Sequence, residues 1–483
     1  MKKMDIGLIG LAVMGQNLVL NMNDHGFSVA VYNRTYARTE DFIKDRVGDR
    51  EIIAAASLNE LADHLERPRK IMLMIKSGKP VDVTIDALIP MLDEGDVIID
   101  GGNSFFQDTI RRYRFLAEKG IHYIGAGVSG GEIGARRGPS IMPGGAKSAW
   151  EEVRPILQGI SAKVDGDVPC CDWMGSDGAG HYVKMVHNGI EYGFMQLIAE
   201  SYAVMKNILQ LDYPTMSQSF KEWNQGKLSS YLVQITGDIL AYRDGDGNPL
   251  VEKILDAAGQ KGTGRWTSES ALLLGIPLTL ISEAVFARAL SALKDERVQA
   301  QPYFETQKAA AVADKTDVLR DLENALFLAE IISYAQGFML FREAAGEYQW
   351  DLKYASIANI WRDGCIIRSA LLKHIRDAFS QQPDLQNLLL APYFQKVVNQ
   401  NIDSLRRIIV LAVHAGVPVP AFSSALAFFD GYRSAVLPAN LIQAQRDYFG
   451  SHTYERTDKP RGQFFHTNWT GEGGDVTAST YTA

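Results

Sequence analysis

The sequence predicts an α/β domain followed by a large all-α domain and a C-terminal tail. Short apolar runs alternate with helical stretches over residues 1–177, which is typical of a doubly wound parallel sheet. Over residues 178–435 such runs largely disappear, and amphipathic stretches rich in Ala, Leu, Met and Glu predict helices. Residues 436–483 are expected to form a tail, because apolar residues become scarce after Gln445, and such tails usually fray. The alternative is that Phe464, Phe465 and Trp469 dock on another subunit.

The strands expected in the first domain are five short apolar runs. They cover residues 6–9, 29–32, 71–75, 97–99 and 122–125. A Gly-Ser-Asp-Gly cluster within residues 171–180 is expected to mark the exit from this domain.

The predicted helical domain contains a weak internal repeat. The triplet Gly-Phe-Met at 193–195 recurs at 337–339, and a Trp with a following Gly recurs at nearly the same offset. The members of this second pair are Trp223 with Gly226, and Trp361 with Gly364. The repeat suggests a duplicated helical domain, although three-residue matches also arise by chance.

Charge and cysteine content argue against several classes of function. The formal net charge is −8 and the isoelectric point is near 5.7, whereas a nucleic-acid-binding surface needs a broad basic face. Two of the three cysteines are adjacent and the third is distant, so neither a disulfide framework nor a metal site is expected. We therefore expect no nucleic acid, no metal and a cytoplasmic setting, and the absence of a long apolar run predicts no membrane span.

The first expected strand is followed by a glycine-bounded loop that opens a helix. The residues of this loop are Gly10, Leu11, Ala12, Val13, Met14 and Gly15. Small residues let the backbone approach a pyrophosphate, which binds at the helix N-terminus. The loop predicts a Rossmann-like dinucleotide-binding domain, and the alternative is a tight turn without a ligand.

The end of the second expected strand indicates which dinucleotide binds. An NAD-binding domain would carry an acidic residue here, whereas this chain has Asn33, Arg34 and Thr35. Arg34 could pair with a 2′-phosphate, which predicts NADP, or it could be a solvated loop arginine. Two further strand ends contribute Lys76 and Asn103, and Asn103 could equally occupy a simple glycine turn.

A helical stretch near residue 184 carries five polar side chains on one face. Lys184, His187, Asn188, Glu191 and Tyr192 lie at positions i, i+3, i+4, i+7 and i+8. The neighbouring positions are largely apolar, and a solvent-facing helix stabilised by salt bridges would instead show repeated Lys-Glu pairs. This face therefore predicts proton chemistry with Lys184 and Glu191 as acid and base.

The second copy of the repeat allows a comparison with this polar face. When the two Gly-Phe-Met triplets are aligned, the polar residues are matched by Leu328, Ile331, Ile332 and Ala335. A helix in this position can thus pack with an apolar face, and the polar groups of the first copy are interpreted as an addition for chemistry. The alternative is a buried polar network between helices.

Glycine-rich and basic segments elsewhere are candidates for binding an anionic substrate. Backbone N–H groups, hydroxyls and Lys or Arg side chains together suit a phosphate or a carboxylate. The candidates are Ser129, Gly130, Gly131, Lys261, Thr263, Arg288, Arg446 and His452. Each of them could instead be an ordinary surface charge or part of a loop without a ligand.

Seven segments resemble, in order, those of the decarboxylating 6-phosphogluconate dehydrogenases, and together they span essentially the whole chain. They are residues 10–15, 33–35, 100–104, 127–131, 184–192, 260–266 and 446–452. The resemblance implies conversion of 6-phospho-D-gluconate and NADP⁺ to D-ribulose 5-phosphate, CO₂ and NADPH in the pentose phosphate pathway. It also implies a cytoplasmic homodimer.

The resemblance further implies roles for the candidate residues. Lys184 would remove the 3-hydroxyl proton and later return a proton to the keto oxygen, and Glu191 would protonate C1 of the enediol. Lys184 must then be neutral, which a dry site beside cationic neighbours favours, and Glu191 must be protonated, which burial favours.

The resemblance also divides the substrate among the remaining candidates. The carboxylate is assigned to Ser129, Gly130 and Gly131; the hydroxyl groups to Asn103, His187 and Asn188; and the phosphate to Tyr192, Lys261, Thr263 and Arg288, with Arg446 and His452 from the second subunit. Two other readings are another β-hydroxyacid dehydrogenase, which would be shorter and need no phosphate site, and a non-catalytic cofactor-binding protein.

Overall fold

The computed structural model describes residues 2–305, 314–473 and 476–478. The chain divides into two compact units, Met1–Ala425 and Leu426–Ala483. The first unit contains the α/β region together with most of the helical region, so the domain boundaries at 177 and 435 stay predictions. The end of the expected tail, residues 479–483, lies outside the described residues.

Seven strands form one sheet in the first unit. They are β1 (Ile6–Ile9), β2 (Val29–Tyr32), β3 (Ile52–Ala54), β4 (Lys70–Leu73), β5 (Val97–Asp100), β6 (His122–Val128) and β7 (Ile141–Gly145). Their order in the sheet is β3-β2-β1-β4-β5-β6-β7. Neighbouring strands from β3 to β6 are parallel, and β7 pairs with β6 in the antiparallel direction.

Seven helices accompany the sheet, and a two-stranded ribbon follows it. The helices are α1 (Val13–Asp24), α2 (Tyr36–Phe42), α3 (Leu58–His64), α4 (Lys79–Leu88), α5 (Phe106–Ala117), α6 (Gly131–Arg137) and α7 (Lys147–Ile160). The ribbon consists of β8 (Lys163–Val164) and β9 (Val168–Pro169).

The sheet contains two strands that the sequence pattern did not predict, β3 and β7. A wholly parallel sheet was expected, but β7 is antiparallel to its neighbour. β3 has only three residues, and β7 contains Pro143 and two glycines, which are unfavourable within a strand. β7 is tolerated because it lies at the edge of the sheet, where a missing backbone donor costs least. β4 ends at Leu73 instead of 75, and β6 continues to Val128 instead of ending at 125.

Both faces of the sheet are covered, which explains why its strands are continuous apolar runs in the sequence. β1 and β5 are buried along their whole length. One face packs against α1 and α7, and the other packs against α3, α4 and α5. The strand ends therefore remain as the accessible part of the sheet, where ligands bind in folds of this class.

The rest of the described part of the first unit is mainly helical. Its helices are α8 (Ala179–Ala203), α9 (Tyr213–Trp223), α10 (Tyr231–Ala241), α11 (Thr263–Leu273), α12 (Thr279–Ala292), α13 (Lys294–Ala300), α14 (Lys315–Glu347), α15 (Tyr354–Ile360), α16 (Leu371–Gln381), α17 (Pro392–His414) and α18 (Pro420–Tyr432), the last of which crosses into the second unit. A π-helical turn, Val204–Ile208, continues α8.

The internal repeat corresponds to two long helices, α8 and α14, that pack against each other. The glycine of each Gly-Phe-Met triplet lies at this contact. A Cβ atom on Gly193 would come within 2.7 Å of Ser333 Oγ, and one on Gly337 would come within 2.7 Å of Ile190 Cδ1. The two helices approach closely because both triplets begin with a residue that has no side chain.

The segments that follow α8 and α14 also pair with each other. Ser230 and Ser369, which occupy nearly equivalent positions in the two copies, form an antiparallel bridge. The backbone N–H of Tyr231 donates to Arg368 O at 3.0 Å, and that of Ala370 donates to Ser229 O at 2.8 Å. The two copies of the repeat thus meet through equivalent elements.

Among the described residues, α14 is the one helix that is long and apolar enough to cross a membrane by length and composition. Its most apolar window is 94% buried inside the protein. This burial is typical of a core helix, and the central position of α14 in the helical region accounts for its apolar composition.

The second unit folds around one buried carboxylate. It contains α19 (Ala439–Gly450) and a hairpin of β10 (Tyr454–Glu455) and β11 (Phe464–Phe465). Asp447 on α19 is fully buried and accepts hydrogen bonds from His466 Nδ1 (2.8 Å), Thr467 N (3.0 Å) and Trp469 Nε1 (2.8 Å). Over these residues the segment is hydrogen-bonded to α19, and the docking of its aromatic residues on another subunit stays a prediction.

Candidate active site

The glycine loop after β1 adopts the geometry that dinucleotide binding requires. Gly10 has a φ of 106°, and a Cβ atom there would come within 2.5 Å of Met74 O. A Cβ atom on Gly15 would overlap the carbonyl of Gly10, so both ends of the loop need glycine. The N–H of Leu11 donates to Asn33 Oδ1 at 3.1 Å, which joins this loop to the end of β2.

A cavity of about 870 Å³ lies beside this loop. Of the predicted cofactor residues, it is lined by Gly10, Ala12, Asn33, Arg34, Thr35 and Lys76. Two further cations that the sequence analysis missed, Arg38 and Lys79, also line it. Arg38 lies in the first turn of α2, directly after the predicted residues Asn33, Arg34 and Thr35, so its place in the sequence could have suggested it. The volume and the four cationic side chains suit an anionic dinucleotide.

Asn103 lies in the turn after β5 and is not among the residues that line this cavity. Asn103 is exposed, whereas its neighbours Gly102 and Ser104 are buried. A Cβ atom on Gly102 would come within 3.2 Å of the carbonyl of Ile75, which lines the cavity. Asn103 is therefore presented at the carboxyl end of the sheet, where the sequence pattern put it.

The predicted polar face of α8 is largely buried, and its side chains contact one another. Lys184 is 6% exposed and His187 is fully buried, and Lys184 Nζ lies 3.4 Å from His187 Nδ1. The same Nδ1 lies 3.1 Å from Asn188 Oδ1 and 3.8 Å from Glu191 Oε2. The equivalent residues of α14 are also buried but apolar: Leu328, Ile331, Ile332 and Ala335.

The pKa values of this face are shifted by burial. Burial lowers the pKa of Lys184, and the nearby carboxylate of Glu191 raises it. Burial raises the pKa of Glu191, and Lys184 and Arg288 lower it. The expectation that cationic neighbours depress the pKa of Lys184 is wrong for this structure, because desolvation is the largest cause and the charged neighbour is an acid.

His187 is held in its neutral form between Lys184 and the loop after β6. Burial and the adjacent Lys184 hold the pKa of His187 well below its ordinary value. Its Nε2 lies 3.3 Å from Ser129 Oγ. Ser129 precedes Gly130 and Gly131, whose φ angles of 110° and 62° are readily adopted only by glycine. The predicted carboxylate loop is thus next to the polar face of α8.

The predicted phosphate residues meet at the other end of this face. The guanidinium of Arg288 lies 3.5 Å above the ring of Tyr192. Asn188 Nδ2 donates to Thr263 Oγ1 at 3.1 Å, and Thr263 is the first residue of α11. Lys261 is exposed just before this helix N-terminus. Together they form a cationic corner with free helix N–H groups, which suits a phosphate.

The last two predicted residues belong to the second compact unit. Arg446 lies on α19, where its Nη1 donates to Gln443 Oε1 at 2.9 Å. His452 follows the end of this helix. The contacts that form the site within the first unit do not include Arg446 or His452.

Trp361 and Cys365 lie beside the site and were not predicted to belong to it. The ring of Trp361 packs edge-on against His187 with centroids 5.5 Å apart, and Cys365 Sγ donates to Trp361 O at 3.1 Å. Trp361 was identified from the repeat alone. Its place against His187 depends on the packing of the two copies, which no local pattern reveals.

Comparison with known proteins gives the same order of parts. Residues 5–175 match the family model described as the NAD binding domain of 6-phosphogluconate dehydrogenase, and residues 180–469 match that of its C-terminal domain. The chain is similar to 6-phosphogluconate dehydrogenase, decarboxylating, from Haemophilus ducreyi (58% identical, 99% of both chains) and from Ovis aries (57% identical, 100% of both chains).

A solved structure extends this similarity to three dimensions. It is Plasmodium falciparum 6-phosphogluconate dehydrogenase, described in its apo form, in complex with its cofactor NADP⁺ and in complex with its substrate 6-phosphogluconate. The TM-score is 0.93 at 46% identity, covering 96% of this chain and 100% of the other. The chain belongs to the 6-phosphogluconate dehydrogenase family.

Proposed function

We propose that this chain catalyses the oxidative decarboxylation of 6-phospho-D-gluconate by NADP⁺ to D-ribulose 5-phosphate, CO₂ and NADPH. This is a reaction of the pentose phosphate pathway and of gluconate utilisation. The observation that carries the proposal is the largely buried polar face of α8, which lies next to two candidate anion-binding regions. On this face, burial lowers the pKa of Lys184 and raises the pKa of Glu191. The names of the full-length relatives support the substrate and the reaction.

The two anion-binding regions give the substrate its orientation. The carboxylate lies at Ser129, Gly130 and Gly131, and the phosphate lies at the corner of Tyr192, Lys261, Thr263 and Arg288. Contacts from Ser129 to His187 and from Thr263 to Asn188 tie both regions to consecutive residues of α8. A bound sugar acid would therefore run along the polar face, with its hydroxyl groups near Asn103, His187 and Asn188 and with C3 near Lys184, one helical turn before His187.

Lys184 acts first as a base and then as an acid. Its neutral amine removes the proton of the 3-hydroxyl group while C3 loses a hydride. The ammonium then gives a proton to the 3-keto oxygen as the bond between C2 and the carboxylate breaks and CO₂ leaves. Burial supports the first role because it favours the neutral amine. The carboxyl group of Glu191 lies 3.8 Å from His187, which in turn contacts Lys184, so an acidic group is close to the base.

Glu191 completes the reaction as an acid. It protonates C1 of the enediol left after decarboxylation while the neutral amine of Lys184 takes the proton of the C2 hydroxyl group, which yields the keto product. Burial supports this role because it favours the protonated carboxyl group. Glu191 is partly open, with 20% of its side chain exposed, so a bound ligand could contact its carboxyl group.

The residues around the cofactor cavity fit NADP. NADP⁺, when bound, supplies the hydride acceptor. Gly10 to Gly15 would hold the pyrophosphate at the N-terminus of α1, and Arg34 would pair with the 2′-phosphate beside Asn33 and Thr35. Lys76 lines the same cavity, and Asn103, in the turn after β5, would reach the nicotinamide ribose and the substrate.

The active enzyme is proposed to be a cytoplasmic homodimer in which each tail completes the partner's site. In support, α19 has an exposed apolar face, on which Leu441, Ile442, Tyr448 and Phe449 are each at least 58% exposed. Such a face is typical of an interface between subunits. Arg446 on the same helix and the following His452 would then contribute to the phosphate site across the interface.

The assay that tests the function is the release of NADPH and CO₂ from 6-phosphogluconate. Gluconate serves as the non-phosphorylated comparison and NAD⁺ as the alternative cofactor. The proposal predicts equal amounts of NADPH and CO₂ and a much lower kcat/KM with gluconate or NAD⁺. Equal rates with gluconate would favour a different β-hydroxyacid dehydrogenase, and no turnover despite NADP⁺ binding would favour a non-catalytic protein.

A further inference from the structure

Asp100, the last residue of β5, holds the turn that presents Asn103. Its carboxylate accepts hydrogen bonds from the backbone N–H of Gly102 at 3.1 Å and from the hydroxyl of Ser104 at 2.6 Å. These two residues flank Asn103, which is itself exposed. The turn is therefore fixed on both sides of Asn103, while the Asn103 side chain remains available to a ligand.

The buried charge of Asp100 is well compensated. Tyr123 Oη donates to Asp100 Oδ2 at 2.9 Å, and Arg112 Nη1 lies 3.5 Å from the same oxygen. All three side chains are at most 1% exposed. A buried carboxylate with this many partners is rigid, because each lost contact would leave a charged group unsatisfied.

The backbone of Asp100 is bonded to α8 through His181. His181 Nε2 lies 3.1 Å from Asp100 O, and Nδ1 lies 2.7 Å from Thr109 Oγ1 on α5. Burial lowers the pKa of His181 and favours the neutral ring. A tautomer with the proton on Nε2, assigned here from these contacts, donates to Asp100 and accepts from Thr109.

His181 lies one helical turn before Lys184, and both residues rest directly on β6. A Cβ atom on Gly125 would come within 2.8 Å of His181 Nδ1, and one on Gly127 would come within 2.8 Å of Lys184 Cγ. No side chain separates the strand from the helix at these two points. A displacement of His181 is therefore transmitted to Lys184 instead of being absorbed by packing.

We propose that Asp100 and His181 are positioning residues that fix the Asn103 turn relative to Lys184, and so align C3 of the substrate with the base and the hydride acceptor. The inference rests on the proposed function, which gives Asn103 and Lys184 their roles. Neither positioning residue needs to touch the substrate. Since a misplacement of about 1 Å can cost on the order of 100-fold in rate, a link of this kind acts on kcat.

The test compares His181→Leu with His181→Gln. The Gln amide can donate to Asp100 O in place of Nε2, whereas Leu cannot. We expect His181→Leu to lower kcat about 100-fold while both KM values stay within about twofold. Its primary isotope effect with 3-deuterated 6-phosphogluconate should rise, because hydride transfer becomes rate-limiting, and His181→Gln should recover most of kcat.

Three results would overturn the link. They are a His181→Leu variant with unchanged kcat, a loss confined to KM, and a His181→Gln variant as slow as His181→Leu. If His181→Leu does not fold, Ser104→Ala decides, since it removes only one bond beside Asn103 and should lower kcat by about 10-fold. An unchanged kcat in Ser104→Ala then overturns the link. A wild-type chain that forms no NADPH from 6-phosphogluconate would overturn the proposed function together with the link.

Discussion

Gly127 on β6 lies so close to Lys184 on α8 that a methyl group on Gly127 would overlap the Cβ of Lys184 and come within 2.8 Å of its Cγ. Gly127→Ala must therefore displace α8. We expect kcat to fall by about 100-fold, because the base moves relative to the substrate, and the free energy of unfolding to fall by about 1–3 kcal/mol through overpacking. Steady-state kinetics and urea unfolding measure these two effects.

Gly134→Ala is the matched control for this change. A Cβ atom on Gly134 would only reach ordinary contact, 3.6 Å from Gly364 O and Ser129 O, and Gly134 lies within α6. Its kcat should stay within about twofold of wild type, with a gain of up to about 1 kcal/mol in stability from helix propensity. Equal kcat values for the two variants would show that the contact does not position Lys184.

Arg34→Leu should weaken NADP⁺ selectively. If Arg34 pairs with the 2′-phosphate, its loss removes a charged hydrogen bond, and KM for NADP⁺ should rise roughly 10- to 100-fold. KM for NAD⁺, which lacks this phosphate, should hardly change. Arg154→Leu on α7, an exposed arginine outside the cavity, is the control. Parallel changes for both cofactors would remove Arg34 from cofactor selection.

Glu330 on α14 predicts how stability depends on pH. It is 1% exposed, and burial raises its pKa from 4.5 to about 8, with the Ser369 hydroxyl opposing the shift. The folded state therefore holds this proton over a pH range in which the unfolded state has lost it. As the pH rises from about 4.5 to about 8, this group therefore lowers the free energy of unfolding, by on the order of 5 kcal/mol in total.

Glu330→Gln should remove that contribution. The stability difference between the variant and wild type, from urea unfolding at several pH values, should grow in favour of Gln as the pH rises toward 8. Glu343→Gln, at an exposed position of the same helix, should show no such growth. A constant difference across this range would mean that Glu330 ionises in the folded state as it does in the unfolded state.

A heterodimer tests whether Arg446 serves the partner's site. One subunit carries Lys184→Met, the other carries Arg446→Ala, and two different affinity tags isolate the mixed dimer after co-expression. If Arg446 acts across the interface, one site has both defects and the other has none, so activity should be about half of wild type. If Arg446 acts within its own chain, no intact site forms and the heterodimer should be no more active than the two homodimers.

Local patterns predicted the parts of the site that follow a simple spacing. The face of Lys184, His187 and Glu191 follows from helical periodicity, and the loops at Gly10 and Asn103 follow from glycines at strand ends. Their burial and pKa shifts could not be read from spacing, because both depend on what packs over α8. The expected burial does lower the pKa of Lys184, whereas the expected cationic neighbours do not contribute to that shift.

Residues that act through long-range packing were missed. His181 has no distinctive sequence context, and its importance arises only from its contact with Asp100, which lies far away in the chain. Trp361 likewise contacts His187 only because the two helical copies meet. The edge strand β7 was missed because Pro143 and its glycines are unfavourable in strands and are tolerated only by its place in the sheet.

In the proposed mechanism, one helix carries both the base of oxidation and the acid of the final step. A single-turnover experiment with 6-phosphogluconate and NADP⁺ tests it most directly, by following NADPH, CO₂ and ribulose 5-phosphate in wild type, Lys184→Met and Glu191→Gln. We expect Lys184→Met to form no NADPH, and Glu191→Gln to give a near-normal burst of NADPH with delayed ribulose 5-phosphate. NADPH formation by Lys184→Met at the wild-type rate, or equal losses of NADPH and ribulose 5-phosphate in Glu191→Gln, would contradict it.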